Sequence, residues 1–218
     1  RLRIPFPNGQ WKDVGNNMVK GNMQTSYFTP RSWSAVFSAA IDSANYSIYT
    51  SWEGKAQIQQ KTDHYYLIVP GTGKQFNFTV LFIPHQIIPV PFKFQDDLKI
   101  SSSQWKKFWT SGGAVDFSGT KDPRAFEIER RTVLSQYLTK IQCSSAYPPQ
   151  ETGLTYNSWY GKPHLEMHWW HAVHYAQWGR VELMEKSLDW YFSVAAKAYA
   201  IAKRQGFDGL RWQKMTDH

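Results

Sequence analysis

The segment Asp116-Phe-Ser-Gly-Thr-Lys-Asp-Pro-Arg-Ala-Phe126 separates two kinds of sequence. Before it the hydrophobic period is two. Tyr46, Ile48, Thr50 and Trp52 alternate with Ser47, Tyr49 and Ser51, and Phe76, Phe78, Val80 and Phe82 alternate with Asn77, Thr79 and Leu81. Such alternation places the two sets on opposite faces of a strand. Trp33–Ile41 and His64–Val69 read as further strands, with Gly71-Thr-Gly73 as a turn. Residues 84–104 read as a loop, on Pro84, Pro89, Pro91 and Ser101-Ser-Ser103. Short strands at this spacing predict an antiparallel β-sandwich portion over residues 1–118.

After the segment the period becomes helical. Asp122 can accept from free N–H groups and Pro123 suits the first helical position, so Asp122-Pro123 reads as a helix start. Phe126, Val133, Leu134, Tyr137, Leu138 and Ile141 follow at helical spacing, and Pro148-Pro149 ends the element. A second helix is predicted from Leu165 to Trp178 and a third from Glu182 to Gln205, with Gly206 as its exit. Met184, Leu188, Tyr191, Ala195, Ala198 and Ala202 form one face of the third, and Trp190, Val194 and Ile201 a second, which predicts burial on two sides. Residues 119–218 thus read as the opening of a larger helical layer, and the chain as α+β. No internal repeat is visible. Both ends, Arg1-Leu-Arg-Ile4 and Met215-Thr-Asp-His218, have the look of a fragment.

Composition narrows the function. With 42% hydrophobic and 19% charged residues the chain is globular, not disordered. The formal net charge of +8 invites nucleic acid as a partner. The basic residues are dispersed, however, and Lys106-Lys107, Arg130-Arg131 and Lys203-Arg204 are the only tight pairs. A groove that tracks a nucleic-acid backbone needs a concentrated stripe, so nucleic acid is not expected. The single cysteine, Cys143, excludes an internal disulfide and a cysteine-rich metal site. No apolar run has the length of a membrane span and no signal peptide opens the chain, so no membrane partner is expected.

The chemistry concentrates between Tyr156 and Trp178, which holds seven aromatic residues and four of the seven histidines. Aromatic faces stack on the C–H faces of a sugar ring, and imidazoles and carboxylates meet its hydroxyls. Trp159, Tyr160, Lys162 and His164 precede the second helix in a loop, with Glu166 at the helix start. Glu166 has two readings, a carboxylate at the N–H end of a helix or a sugar-hydroxyl acceptor or acid/base. Gln150 and Glu151 are placed to line the same opening, and Arg211-Trp-Gln-Lys214 is a second aromatic-polar segment. His164, His168, His171 and Tyr175 share one helical face. The order His-x-Glu-x-His-x-x-His is not a zinc-protease motif, so packed histidines are preferred and neither metal nor cofactor is expected. Asp116, Asp122 and Arg124 read as capping and junction ion pairs. The sugar reading requires the loop to open onto a hollow rimmed by indoles, with a carboxylate pointing inward.

These residues resemble the six-hairpin glycosidase superfamily, in particular its maltose and kojibiose phosphorylase branch, in which a β-sandwich precedes an (α/α)6 toroid. The β-to-α order is similar. Gly153-Leu154-Thr155 looks like the Gly-Leu-Thr before that family's sugar-contacting loop, and Gly161–His168 like its Gly-His-x-Phe-Trp-Asp-x-Glu segment. Glu166 falls where the family has a sugar-binding Asp, and Trp212-Gln213 resembles its Pro-Trp-Gln. The resemblance covers residues 119–218 by motif and the sheet half by architecture alone. His168 stands for the second acid, Leu165 for the tryptophan and Lys162 for the first histidine, so sugar specificity does not carry over.

The resemblance implies a glycoside hydrolase-like protein acting on oligo- or polysaccharide bonds, with this chain supplying part of the sugar pocket. It implies a general acid beyond His218, in the remainder of the same polypeptide, which leaves Glu166 and Glu151 as the carboxylate candidates here. Trp159, Tyr160 and Trp212 are expected to wall the sugar, and Lys162, His164, Gln213 and Lys214 to bond its hydroxyls. Periplasmic or extracellular placement goes with polysaccharide breakdown. The alternatives are a non-catalytic carbohydrate-binding module, a glycoside phosphorylase, for which no glycine-rich anion loop is visible, and a structural fragment whose indoles are sealed in the core.

Overall fold

The computed structural model describes residues 1–6, 23–41, 44–84, 93–155 and 158–215. The described chain is mixed α+β. Its strands are β1 (Leu2–Pro5), β2 (Gln24–Arg31), β3 (Ser34–Ile41), β4 (Ala44–Trp52), β5 (Ala56–Thr62), β6 (Tyr65–Pro70) and β7 (Phe78–Pro84). Its helices are α1 (Phe94–Thr110), α2 (Ala125–Cys143), α3 (Leu165–Gln177), α4 (Val181–Ser193) and α5 (Ala195–Arg204), with a single 3-10 turn at Trp159–Gly161. The chain divides into two compact units, Arg1–Gln104 and Trp105–His218, and the division falls inside α1.

In the first unit the strands form two antiparallel sheets, ordered β1-β6-β5 and β2-β3-β4-β7. The period-two pattern fixes what each face carries. Ala35, Phe37 and Ala39 of β3 and Ile48 and Trp52 of β4 join Ile4, Phe6, Tyr66 and Ile68 of the other sheet in one buried cluster. The opposite face of β3 and β4 carries Ser34, Ser47, Tyr49 and Ser51, which are also buried. Ser38 and Ser47 are paired in register there, their hydroxyl oxygens 3.3 Å apart. β2 and β5 were not among the strands expected. Both are edge strands with largely exposed side chains, so their sequences, Gln24–Arg31 with Pro30 and Ala56–Thr62 with three glutamines and lysines in a row, carry no alternation.

The predicted loop over 84–104 is corrected by α1. Pro89 and Pro91 lie outside the described residues, and the helix begins after them. Asp96 and Asp97 stand in its first turn, and their N–H groups donate to the Lys93 carbonyl at 3.0 and 3.1 Å. The three serines face solvent, which is why their composition misleads.

In the second unit Trp105, Phe108 and Trp109 cluster with Tyr137 of α2, and the Lys140 ammonium lies 5.1 Å from the Trp105 ring centre. The Tyr175 hydroxyl donates to the Thr139 carbonyl at 2.8 Å, joining α3 to α2. Asp122 does not cap α2 itself. It accepts from Arg124 N at 2.9 Å and pairs with the Arg124 guanidinium at 2.7 Å, closing the turn that leads into Ala125. The predicted third helix is two, α4 and α5, broken at Val194 (φ −106, ψ 10). The Ser193 hydroxyl donates back to the Trp190 carbonyl at 2.7 Å, a local bond that competes with the helical ladder just before a β-branched residue. Every residue of the two predicted faces is buried or half-buried, whereas Phe192 and Tyr199, which belong to neither face, are exposed. α2 exposes Phe126, Ile128, Leu134 and Ile141.

Candidate functional site

Three segments meet at the start of α3. The Leu165 N–H donates to the Lys214 carbonyl at 2.7 Å, His164 and Met215 form an antiparallel bridge, and the His164 N–H donates to the Pro149 carbonyl at 3.1 Å. The loop after the double proline, the first turn of α3 and the segment after α5 are thereby fixed to one another through backbone bonds.

His164 caps the helix. Its backbone is extended (φ −110, ψ 93), and its Nδ1 accepts from Met167 N at 3.3 Å. The side chain is buried. This corrects its assignment as a hydroxyl-binding group. His164 is thus the cap residue, and Glu166 lies next to it in the first turn of α3, at the N–H end of the helix. With Nδ1 accepting, the ring proton of neutral His164 sits on Nε2, which faces Glu151 Oε2 at 3.8 Å. The same carboxylate accepts from Trp159 Nε1, and His171 Nε2 donates to the Glu151 carbonyl at 2.9 Å. Glu151 is thus the hub that holds the loop on α3. Gln150 closes that loop on itself, donating to the Gly153 carbonyl at 2.7 Å and accepting from Ser158 N at 2.9 Å.

Trp159 has φ +48, a left-handed conformation that L-residues with large side chains avoid. The residue is 53% exposed even though its indole N–H is bonded. Backbone cost accepted in order to present an aromatic face to water is the kind of strain that collects at binding sites. The side chain of Tyr160 lies outside the described residues. Lys162 follows the 3-10 turn, half-buried, with its N–H donating to the Trp159 carbonyl at 3.2 Å.

Glu166 stands on the other side of the α3 start, 55% exposed, in an ion pair with Lys214 Nζ at 2.5 Å. The ammonium holds its carboxyl below the usual carboxylate range, and the pairing raises Lys214 in turn. Glu166 is therefore an ionised surface group, not a carboxylate aimed into a hollow. A hollow of about 430 Å³ does adjoin the loop, but it is lined by Gln142, Tyr147, Gln150, Gly153, Leu154 and Gly161 among others, not by either glutamate or by Trp159. Gln213 is exposed beside Lys214. Trp212 is half-buried, edge-on to Tyr191 with ring centres 5.7 Å apart, and packs more than it presents a face.

The remaining histidines of α3 are structural. The Ser187 hydroxyl donates to the Met184 carbonyl, so it accepts from His168 Nε2 at 2.8 Å, and His168 Nδ1 takes the Tyr191 hydroxyl at 2.9 Å. Neither Ser187 nor Tyr191 carries any signal of this pairing in sequence, since the partners are about twenty residues away. Burial lowers His168, His171 and His174 below the usual imidazole range, helped by repulsion among neighbouring histidines. A histidine whose folded pKa is depressed binds its proton more readily when unfolded. The helical unit is therefore expected to lose stability as pH falls through and below about 6.5, by up to about 1.4 kcal/mol per pH unit for each such histidine. Urea midpoints at pH 8, 7, 6 and 5 followed by helix ellipticity measure this. A flat profile would contradict the buried, neutral histidines. Among the described residues no group of three or more His, Cys, Asp or Glu is placed to hold a metal ion, and no helix is long and apolar enough to cross a membrane. Arg130 and Arg131 both pair with Glu127, at 2.8 and 2.7 Å.

No family model, curated protein or solved structure matches this chain.

Proposed function

We propose that this is a carbohydrate-active protein of the glycoside hydrolase class, in which the start of α3 carries an open sugar-binding face in place of the indole-rimmed hollow with an inward carboxylate expected from the sequence. The observation that carries the reading is the exposed Trp159 indole, held in a strained backbone conformation by the Glu151 carboxylate, beside the ionised Glu166–Lys214 pair. An aromatic face with an acceptor and a donor at its edge matches a pyranose, whose C–H face is apolar and whose adjacent hydroxyls both give and take hydrogen bonds. The two sheets are read as the sandwich and the helices as the first of an (α/α)6 layer. The apolar residues left exposed on α2 and at Phe192 support the latter.

Glycoside cleavage takes two carboxyl groups, one of them protonated. Held ionised by Lys214, Glu166 acts as a hydroxyl acceptor and not as the acid, so the proton donor is a different group. The same fact, with the open position of Glu166, favours a second reading, sugar binding without turnover. Phosphorolysis gains no support, because the Lys214 charge is already matched by Glu166.

A glycan array with the full chain, followed by titration with the best oligosaccharide, tests the proposal. Trp159→Ala is expected to weaken binding at least tenfold and Glu166→Gln about three- to tenfold, in line with losing one stacked ring or one charged hydrogen bond. Unchanged binding in Trp159→Ala would remove the basis for the reading. Release of reducing sugar separates hydrolysis from binding alone.

A further inference from the structure

The sheet unit holds a separate cavity of about 280 Å³ with aromatic walls. Trp52 and Phe78 are in-register partners on β4 and β7 and so project on the same face. Trp33 and Phe94 complete the apolar lining. Backbone bonds fix these walls, Trp52 N to the Trp33 carbonyl at 2.9 Å and Glu53 N to the Asn77 carbonyl at 3.0 Å. The polar part of the lining is Ser51, Glu53, Asn77 and Lys93. Gln75 Nε2 donates to Asn77 Oδ1 at 2.9 Å, and Asn77 Nδ2 donates to Glu53 Oε2 at 2.8 Å. This relay orients the carboxylate. Trp52 is buried, and among the described residues its Nε1–H has no hydrogen-bond partner.

We propose that this cavity is a second ligand site, for a single neutral polyhydroxylated ring such as a pyranose. Three features choose this class. The volume, about 280 Å³, lies just under the range of ligand pockets, roughly 300–1,000 Å³, which fits one ring and not a chain. The charges of the lining, one carboxylate and one ammonium, cancel. An organic cation in an aromatic cage would meet Lys93, and an anion would meet Glu53. A carboxylate and an ammonium at the edge of aromatic walls are the acceptor and donor that a pair of neighbouring hydroxyls requires. The site shares no residue with the face around Trp159, so the two stand or fall separately.

Saturation-transfer NMR with the full chain tests it, using the methyl pyranosides of glucose, galactose, mannose and xylose at millimolar concentration. Transfer to at least one glycoside is expected in the wild type, to persist in Trp159→Ala, and to fall at least threefold in both Phe78→Ala and Glu53→Gln. The Gln variant keeps the shape of the wall and so covers the case in which Phe78→Ala does not fold. Transfer abolished by Trp159→Ala, transfer unaffected by Glu53→Gln, or displacement by tetramethylammonium instead of by the glycosides would overturn the proposal, as would no transfer to any of the four.

Discussion

Gly112→Ala is expected to destabilise the helical unit by more than about 3 kcal/mol. α1 ends at Thr110, and the chain turns back at once through Ser111-Gly112-Gly113. Gly112 has φ +74, and a Cβ built on it would lie 2.2 Å from the Trp178 carbonyl oxygen and 3.0 Å from Arg180 Cγ. The first contact is with backbone, so no rotamer change relieves it. Either the turn or the end of α3 has to move. Gly113 N also donates to that same Trp178 oxygen at 2.6 Å, and a displaced turn loses this bond as well. Gly113→Ala is the control. Its Cβ would stand 3.6 Å from the Trp178 oxygen, an ordinary contact, and a cost below about 1 kcal/mol is expected. Urea transitions followed by helix ellipticity compare the two. Equal costs would mean that the α1 and α3 ends do not approach as described.

That contact explains much of what was and was not legible beforehand. The switch of period around residues 116–126 is a local property of side-chain spacing, and it located β3, β4, α2 and α3 to within a few residues. An edge strand need not carry such a pattern, because water accepts either face: the edge strand β7 alternates and is legible, whereas Gln24–Arg31 and Ala56–Thr62 do not alternate and are not. The helix at Phe94–Thr110 was hidden by the composition of its solvent-facing turn, Ser101-Ser-Ser103, although Trp105 and Phe108 sit at helical spacing within it. Nothing in the local sequence marks Gly112 and Gly113 out from other glycines. That they admit a carbonyl from residue 178 depends on contacts across more than sixty positions.

The candidate site divides in the same way. Trp159, Glu151, Glu166 and Lys214 were named from residue type, and the fold does bring them to one end of α3. Their roles depended on neighbours that sequence does not order. His164 looked like a free imidazole in a loop and is the buried cap of α3. Glu166 has two readings, a carboxylate at the helix start or a sugar-hydroxyl acceptor, and it stands in the first turn in a surface ion pair with Lys214. Spacing alone does not distinguish residues two apart at a helix start, because which of them turns inward depends on the strand-like pairing of His164 with Met215.

Arg180 presents opposing terms whose sizes decide the outcome. Its side chain is fully buried, with Nε and Nη2 donating to the Phe108 carbonyl at 3.2 and 3.0 Å and the guanidinium 4.1 Å from the centre of the Phe108 ring. It thereby satisfies a carbonyl in the last turn of α1, where cations are favoured. Against this, Nη1 is buried without a hydrogen-bond partner among the described residues, and a desolvated charge costs several kcal/mol in its own right. Arg180→Ala removes the charge but leaves a cavity, worth about 2–5 kcal/mol, and a Phe108 carbonyl that keeps only the long bond from the Ser111 hydroxyl at 3.5 Å, a loss of about 1–3 kcal/mol. A net loss of more than about 3 kcal/mol is expected. Arg180→Met fills most of the space and relieves the charge, so its loss should stay near 1 kcal/mol. Stabilisation in Arg180→Met would show that the buried charge outweighs its bonds to Phe108. Because the added Cβ in Gly112→Ala meets Arg180 Cγ, the double variant Gly112→Ala with Arg180→Ala should cost less than the sum of its parts, by about 1 kcal/mol. Strict additivity would place the damage of Gly112→Ala entirely at the Trp178 carbonyl.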